Sequence, residues 1–465
     1  MPVDRTSSGL DLLVRIDRGG APLRAQLEEQ LREAVRSGRL APGVALPSSR
    51  SLARELGVSR GVVVDAYAQL GAEGYLVARQ GAPTLVSDSA SPAAGVPPPP
   101  VAGRPPRFDF RPGGPDVSLF PRAAWLASLR RALRDAPDIR FDYGDPRGAP
   151  ELRLALARYL GRARGVSCDA ERVVVTSGMA QGMALLARSL VARGGRRIGV
   201  EDPSNKPGRD QLAANGLEVV PVPVDAAGLR VDVLESLAPD AAFVAPAHQF
   251  PLGVVLAPER RAALIDWAAR SDAVVVEDDY DAEYRYDRAP VGAVQGLAPE
   301  LVAYGGSVSK TLAPGLRLGW LVAPERLATG VVEAKATDDL GTPVVEQLAL
   351  ADFLERGELD RHLRRTRTVY RARRDALVAA LARHLPGRRP AGVAAGLHLV
   401  IDLPAGADEP AVLARARSQG VGLYGLSEHR IEPGPPALLL GYGRIAEPAI
   451  ERGVAELAAA VRYAA

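Results

Sequence analysis

The chain has 465 residues, 47% of them hydrophobic, a formal net charge of +3 and one cysteine, Cys168. That length calls for more than one domain at roughly 100–200 residues each, and the charge singles out no partner. One cysteine excludes an internal disulfide framework and a cysteine-rich zinc site, no apolar run approaches the ~20 residues of a membrane span, and the opening residues lack the apolar core of a signal peptide; a cytoplasmic protein with no membrane partner is expected.

From Pro22, the residues Leu23, Leu27, Leu31 and Val35 recur at helical spacing, and Gly38 ends the run. After the turn LAPGVALP, Ser48-Ser49 cap a second helix with Leu52 and Leu56 on one face and Gly57 at its end. Ser59 caps a third helix, whose inward face is Val63, Ala66, Tyr67 and Leu70. A serine at the cap accepts from the free N–H groups of the first turn, and glycine tolerates the left-handed residue that closes a helix. Helix, Gly-Val turn, helix is a helix-turn-helix pattern, whose second helix enters the major groove by its N-terminal end. The residues there are Ser59, Arg60, Gly61 and Val62. Gly74 then leads into YLVARQGAPTLVS, two short strands about Gln80-Gly81-Ala82-Pro83, which reads as a wing. Arg50, Arg60 and Arg79 fall at two helix starts and in the wing, within reach of the phosphates or base edges of double-stranded DNA. The competing reading is a small helical oligomerisation module with a solvated arginine face.

The segment SDSASPAAGVPPPPVAGRPPR, Ser87 to Arg107, holds too little apolar surface to pack, and its proline run favours extended geometry. The expected organisation is a DNA-binding head over 1–86, a linker over 87–107 and a body over 108–465. In the body, helical patterns alternate with short apolar strands such as RVVVTSG, RRIGVEDP, AAFVAPAH, DAVVVEDDY and LVAYGGS. That alternation predicts an α/β domain around a mostly parallel sheet, with its site at the carboxyl ends of the strands.

The motifs fall at those ends. After RVVVT, the run Ser177-Gly178-Met179-Ala180-Gln181 opens a helix, an anion site made of backbone N–H groups and helix dipole. DAVVV ends in Glu277-Asp278-Asp279-Tyr280-Asp281, an odd density of acids for a plain loop. One reading of it is a divalent-metal site from Asp278, Asp279 and Asp281, though no phosphate-transfer motif accompanies it. Lys310 stands in SVSKTLAPGLRLGWLVAP and is one of only three lysines, with Lys206 and Lys335. A lysine amine can deprotonate and attack an aldehyde, which arginine cannot. Ser307, Ser309 and Arg317 around it suit a phosphate. A lysine nucleophile beside a phosphate cradle points to pyridoxal 5'-phosphate (PLP) held as a Schiff base on Lys310, against the plain alternative of a surface lysine in a loop.

Together these motifs carry a resemblance. The head, with LPSSR and LGVSR at the two helix starts, resembles the GntR-type winged helix-turn-helix. The body resembles a fold-type I aminotransferase. The two in this order resemble the MocR group of bacterial transcriptional regulators, which includes GabR-like and PdxR-like proteins. The resemblance implies that Gly178, Met179 and Ala180 hold the PLP phosphate through backbone donors. It assigns Asp278 to the pyridine nitrogen and Tyr280 to the ring oxygen. It places His248 and Gln249, in AHQFPLG, beside the cofactor, and Tyr143, in YGDPRG, on the phosphate of a neighbouring subunit, which implies a homodimer. Two departures stand against an active aminotransferase. Asn205 occupies the place of the ring-stacking aromatic, and Leu439 that of the arginine which clamps a substrate carboxylate; Arg430 and Arg444 lie near, and Arg209 is another candidate effector contact. The expected function is a PLP-dependent regulator that senses PLP or its adduct with an amine or amino acid. The alternatives are an active aminotransferase with an accessory head and a scaffold that has lost PLP.

Overall fold

Serine caps and helical spacing set the head. A computed structural model describes residues 14–78, 82–88, 105–287, 291–388 and 390–464. It divides the chain into two units, Met1–Gly103 and Arg104–Ala465. In the first, helices run Leu23–Arg36, Ser49–Leu56 and Arg60–Ala72. Ser48 Oγ accepts from the N–H of Ser51 at 3.2 Å, and Ser59 Oγ from that of Val62 at 3.4 Å. Gly57, at φ 62°, closes the second helix in the left-handed region. Leu27, Leu31, Leu52, Val63 and Leu70 meet in one buried cluster. Tyr67 donates to Pro47 O at 3.0 Å, tying the third helix to the turn before the second. Strands Leu76–Val77 and Leu85–Val86 pair antiparallel as the wing. Arg79, Gln80 and Gly81 lie outside the described residues, as do residues 89–104 of the linker. Ser87 is buried and its N–H donates to Tyr75 O at 2.9 Å, so the packed head runs past Val86.

The second unit is built on an eight-stranded sheet. Its order is Val173–Thr176, Gly319–Val322, Val302–Ser307, Val274–Asp279, Ala241–Val244, Arg197–Asp202, Glu218–Asp225, Gly228–Leu229. The five strands from Val302–Ser307 to Glu218–Asp225 run parallel. Gly319–Val322 is antiparallel to both its neighbours, so Val173–Thr176 points the same way as the five. Helices cover both faces, and strands buried on both sides read as unbroken apolar runs, as VVVT and VVV do. One face packs Met183, Leu186 and Leu190 of the helix Met179–Ala192 against Ile198, Val276 and Leu321. Because these strands run in the same direction, Ser177, Asp202, Asp279 and Ser307 all finish on one edge.

A smaller antiparallel sheet of His398–Asp402, Ala437–Gly441 and Tyr424–Gly425 follows the 27-residue helix Glu358–His384. The first body strand, Phe108–Asp109, pairs parallel with Val421–Gly422, which brings the segment after the linker onto this C-terminal part. Among the described residues no helix is long and apolar enough to cross a membrane.

Candidate functional site

The start of the third helix is open to a partner. Arg50, Ser59, Arg60 and Gly61 are exposed, while Val62 is half-buried. Arg60 Nε donates to Ser49 Oγ at 3.4 Å, which joins the starts of the second and third helices. These residues therefore share one surface of the helix-turn-helix. Arg79, the remaining DNA candidate, falls outside the described residues.

The body gathers its polar residues at the carboxyl edge of the sheet. Gly178 is the N-cap of Met179–Ala192 with φ 89°, and no side chain caps that helix start. Its leading N–H groups thus face outward with the positive end of the helix dipole. A Cβ on Gly319 would lie 2.9 Å from Gly178 Cα, so only glycine lets the strand and the helix start approach this closely. Arg317 donates to Ser177 O, and a Cβ on Gly178 would sit 3.0 Å from its guanidinium. Arg317 holds φ 52°, a left-handed backbone that costs a non-glycine residue about 1 kcal/mol or more. Ser309 N–H donates to Ser307 Oγ at 3.3 Å, which shapes the turn after Val302–Ser307. A cavity of about 240 Å³ opens beside Ser177, Arg317 and Thr342.

Strand alternation sends the acids of Val274–Asp279 to different places. Glu277 accepts from the N–H groups of Val294 and Gln295 at 3.1 and 2.9 Å. Asp279 pairs with Arg164 at 2.7 Å and accepts from Tyr304 Oη at 2.7 Å. Asp281 holds His248 Nδ1 at 3.0 Å, with Tyr280 Oη 3.1 Å from the same nitrogen. Asp279 and Asp281 turn to separate partners, and among the described residues no group of three such side chains is placed to hold a metal ion, which stands against the metal reading. Asp278 is left with no hydrogen-bond partner among the described residues. Burial, aided by the charge of Asp279, pushes its carboxyl up to about 7, and Lys310 opposes that rise.

Lys310 follows the neighbouring strand. Its amine donates to Gly113 O. Burial lowers its proton affinity, Arg444 lowers it further, and Asp281 and Asp278 oppose the drop. A depressed ammonium yields more free amine at neutral pH, the form that attacks an aldehyde. Burial keeps the Tyr280 phenol protonated, its acidity pushed well out of reach.

This donor set fits PLP. An uncapped helix start and an arginine can take the phosphate, a half-buried carboxyl with no hydrogen-bond partner among the described residues can face the ring nitrogen, and Lys310 can supply the amine.

Some expected contacts change meaning. Gln249 spends its amide on the chain itself, Nε2 on Pro203 O and Phe250 O and Oε1 on the N–H of Leu252, so it shapes the turn rather than offering a free group. Arg209 is buried and donates to His429 O and Ser204 O, not into an open site. Leu439 lies in an apolar cluster with Val400 and Leu426, packed against Phe250. Tyr143 is 86% exposed and lines a cleft of about 640 Å³ with Ile139, Phe141 and Leu340, which shares Thr342 with the cavity beside Arg317. Sequence reasoning did not find Gly113, Glu201 or the Arg164–Asp279 pair. Glu201 is buried in the same edge and accepts from the N–H of Ala245 at 3.1 Å; only its place at the end of an apolar strand hinted at it.

Two family models match the chain. One described as "Bacterial regulatory proteins, gntR family" covers residues 23–86, and one described as "Aminotransferase class I and II" covers residues 117–424. The chain is 34% identical to the "Probable rhizopine catabolism regulatory protein MocR" of Rhizobium meliloti, over 94% of each chain. It is 35% identical to the "HTH-type pyridoxine biosynthesis transcriptional regulator PdxR" of Corynebacterium glutamicum, over 94% of this chain and 95% of that one. The chain belongs to the MocR-type regulators of the GntR family. The body of this MocR-type chain has the aminotransferase fold: the crystal structure of Pyrococcus horikoshii kynurenine aminotransferase with PMP superposes at a TM-score of 0.71 and 27% identity, covering 77% of this chain and 91% of that one. PLP is the cofactor of that fold.

The site also predicts a pH response. Burial pushes the carboxyls of Glu201, Glu277 and Asp278 up to about 8, about 7 and about 7. A carboxyl raised in the folded state stabilises the fold while protonated and loses that contribution as pH climbs through its folded value. Cofactor-free protein is therefore expected to lose stability between about pH 4, the unfolded carboxyl value, and about pH 8. Thermal melts across this window check it; a melting temperature that climbs steadily through it contradicts the burial of these acids.

Proposed function

We propose that this regulator is a cytoplasmic homodimer that binds operator DNA through its heads and carries PLP on Lys310, sensing PLP itself or its adduct with an amine or amino acid. One observation carries the reading: Lys310 and Asp278, a half-buried carboxyl with no hydrogen-bond partner among the described residues, stand at the same edge of the sheet, in a chain whose third helix presents an open, arginine-bearing start. Lys310 attaches the cofactor. Asp278 faces the ring nitrogen and holds its proton there. Tyr280 donates to the ring oxygen, fixed by His248 and Asp281 behind it. The N–H groups of Gly178, Met179 and Ala180 bind the phosphate with Ser307, Ser309 and Arg317. Bound there, PLP supplies an aldehyde that captures amines and a ring that withdraws electrons.

Tyr143 supports the dimer. Together with Ile139 at 69% exposure and Leu340 at 61%, it forms an apolar surface of the kind that marks an interface, and its phenol would reach a partner's phosphate. The aminotransferase reading is disfavoured by Leu439, which sits in an apolar cluster, and by Asn205, which offers no ring face. Efficient transamination needs a substrate aligned with the ring, and positioning of that sort is worth several kcal/mol of barrier.

The test is mapping of the DNA the full chain occupies in cells, followed by binding to the recovered sites. Two half-sites are expected to bind more tightly than one, because two tethered heads raise the effective concentration. Arg60→Ala is expected to weaken specific binding by roughly ten- to a hundredfold, the scale of one lost base contact, while PLP absorbance is unchanged. Failure to bind any recovered fragment, or rapid multiple turnover on an ordinary amino acid, overturns the regulator reading.

A further inference from the structure

We infer that Lys335 is a positioning residue for the phosphate end of the cofactor, acting through Gln181 on the helix start at Gly178. The inference rests on the reading of that helix start as the phosphate cradle. Lys335 lies on the helix Glu325–Asp339 with its side chain fully enclosed. Its ammonium donates to Asp339 Oδ1 and Oδ2 at 3.0 and 2.9 Å, to Thr342 Oγ1 at 3.0 Å and to Gln181 Oε1 at 3.4 Å. Asp339 and Thr342 belong to the turn after that helix, and Gln181 to the first turn of Met179–Ala192. One amine therefore joins two segments that are distant along the chain.

The amide of Gln181 carries the effect. An amide can turn end over end, exchanging its donor for its acceptor. Here an ammonium, which only donates, meets one end. Two carboxylates, which only accept, meet the other: Nε2 donates to Asp338 at 2.7 Å and to Asp339 at 2.8 Å. Oε1 is thereby fixed toward Lys335, and the same oxygen accepts from the N–H of Ser177 at 2.8 Å. Ser177 precedes Gly178, and its carbonyl accepts from Arg317. The link thus runs from Lys335 through Gln181 to the turn that presents the N–H groups of Gly178, Met179 and Ala180. Turned the other way, the amide would leave the Ser177 N–H facing a donor.

Stability alone does not call for such a lysine. An ammonium taken out of water must recover its hydration from its partners, and an apolar side chain of similar length fills the same space without that cost. What the charge adds is direction: it sets the sense of one amide, and so which atom faces the cradle. Asp339 and Thr342 also line the cleft of Tyr143, and Thr342 borders the cavity beside Arg317, so the same ammonium fastens the cradle to that face.

PLP and 5'-deoxypyridoxal separate this role from a purely structural one. Both present the same aldehyde and ring to Lys310, and only PLP carries a phosphate, so the ratio of their affinities measures the grip of the cradle. The experiment titrates the full-length protein with each and follows the visible absorption band. Wild type is expected to prefer PLP. Lys335→Met is expected to lower that preference by about tenfold or more, the scale of a lost hydrogen bond to a charged group, with affinity for 5'-deoxypyridoxal nearly unchanged. Gln181→Ala puts a strong helix former at a half-buried position. It cuts the same link, leaves the Lys335–Asp339 pair in place, and is expected to lower the preference to a similar extent. The double variant is expected to lose no more than the stronger single one, because both act through one link. Equal weakening of both aldehydes in Lys335→Met assigns Lys335 to the fold alone and overturns the inference. So does a wild-type preference in Gln181→Ala, which decides the matter should Lys335→Met fail to fold. A wild type that binds the two aldehydes alike overturns the reading of the cradle itself, and absence of any visible band overturns that of Lys310, each taking this inference with it.

Discussion

Replacing Lys310 with alanine is expected to abolish the visible absorption of PLP-loaded protein and to leave borohydride nothing to fix on the chain. The effect is complete rather than graded because the other two lysines cannot substitute. Lys335 is fully buried, its amine ion-paired with Asp339 at 2.9 Å and bonded to Thr342 at 3.0 Å. An amine enclosed in this way is not open to an aldehyde. Lys206 is exposed on the surface in an i,i+4 pair with Asp210. Only Lys310 combines burial, a nearby cation and an adjacent phosphate cradle. In wild-type protein, mass spectrometry after borohydride treatment should place the label on the peptide containing Lys310. A label on Lys206 or Lys335, or no label, would end the assignment.

The largest stability effect is expected at Arg164 and Asp279. Their side chains are 1% and 2% exposed and 2.7 Å apart. Asp279 follows Asp278 on the same strand and points to the opposite face, and Tyr304 donates to the same Asp279 oxygen. Glu283 lies close by, its carboxyl pushed up to about 7 by burial and by Asp279, with Arg164 pulling the other way. Arg164→Ala leaves Asp279 charged and buried without its counter-ion, at a cost of about 3–5 kcal/mol. Removing both charges, as in Arg164→Met with Asp279→Leu, is expected to recover much of that loss, because two fewer ions need to leave water. Trp125, Trp267 and Trp320 all lie in the body, so tryptophan fluorescence follows its denaturant unfolding apart from the head. An Arg164→Ala midpoint within error of wild type would show that the pair does not support the fold. If the prediction holds, PLP affinity should fall as well, since Asp278 is carried on the same strand.

The corrections share one cause. Gln249 and Arg209 were each readable as free polar groups, because a sequence shows a side chain and not its competitors. In the fold each is consumed by backbone carbonyls, Gln249 by Pro203 and Arg209 by His429, residues far from it along the chain. Buried polar groups must be satisfied, and the nearest backbone usually does it. The run of acids from Glu277 to Asp281 likewise read as one cluster, yet strand alternation and three separate partners pull it apart.

What the sequence determined by itself is local. Ser48, Ser59 and Gly57 mark the helix ends of the head because caps satisfy or release groups within one turn of chain. The apolar runs mark buried parallel strands because both faces of such strands are covered, and the residues just past those runs mark the site because strand ends are where a parallel sheet leaves backbone and charge unpaired. Lys310 and Arg317 could be named on that basis, while Asp278 was picked out from the acids beside it by the family resemblance. What the tertiary structure decided is which distant segments meet. Gly113 and Gly114 reach Lys310 and Arg444 only because Phe108–Asp109 pairs with Val421–Gly422, more than three hundred residues away. Arg164 reaches Asp279 only because the helix Pro150–Arg164 ends against the strand Val274–Asp279. Spacing along a chain encodes periodicity and caps; it does not encode sheet order, and it is the order of the strands that sets which charges neutralise one another and which remain free for a ligand.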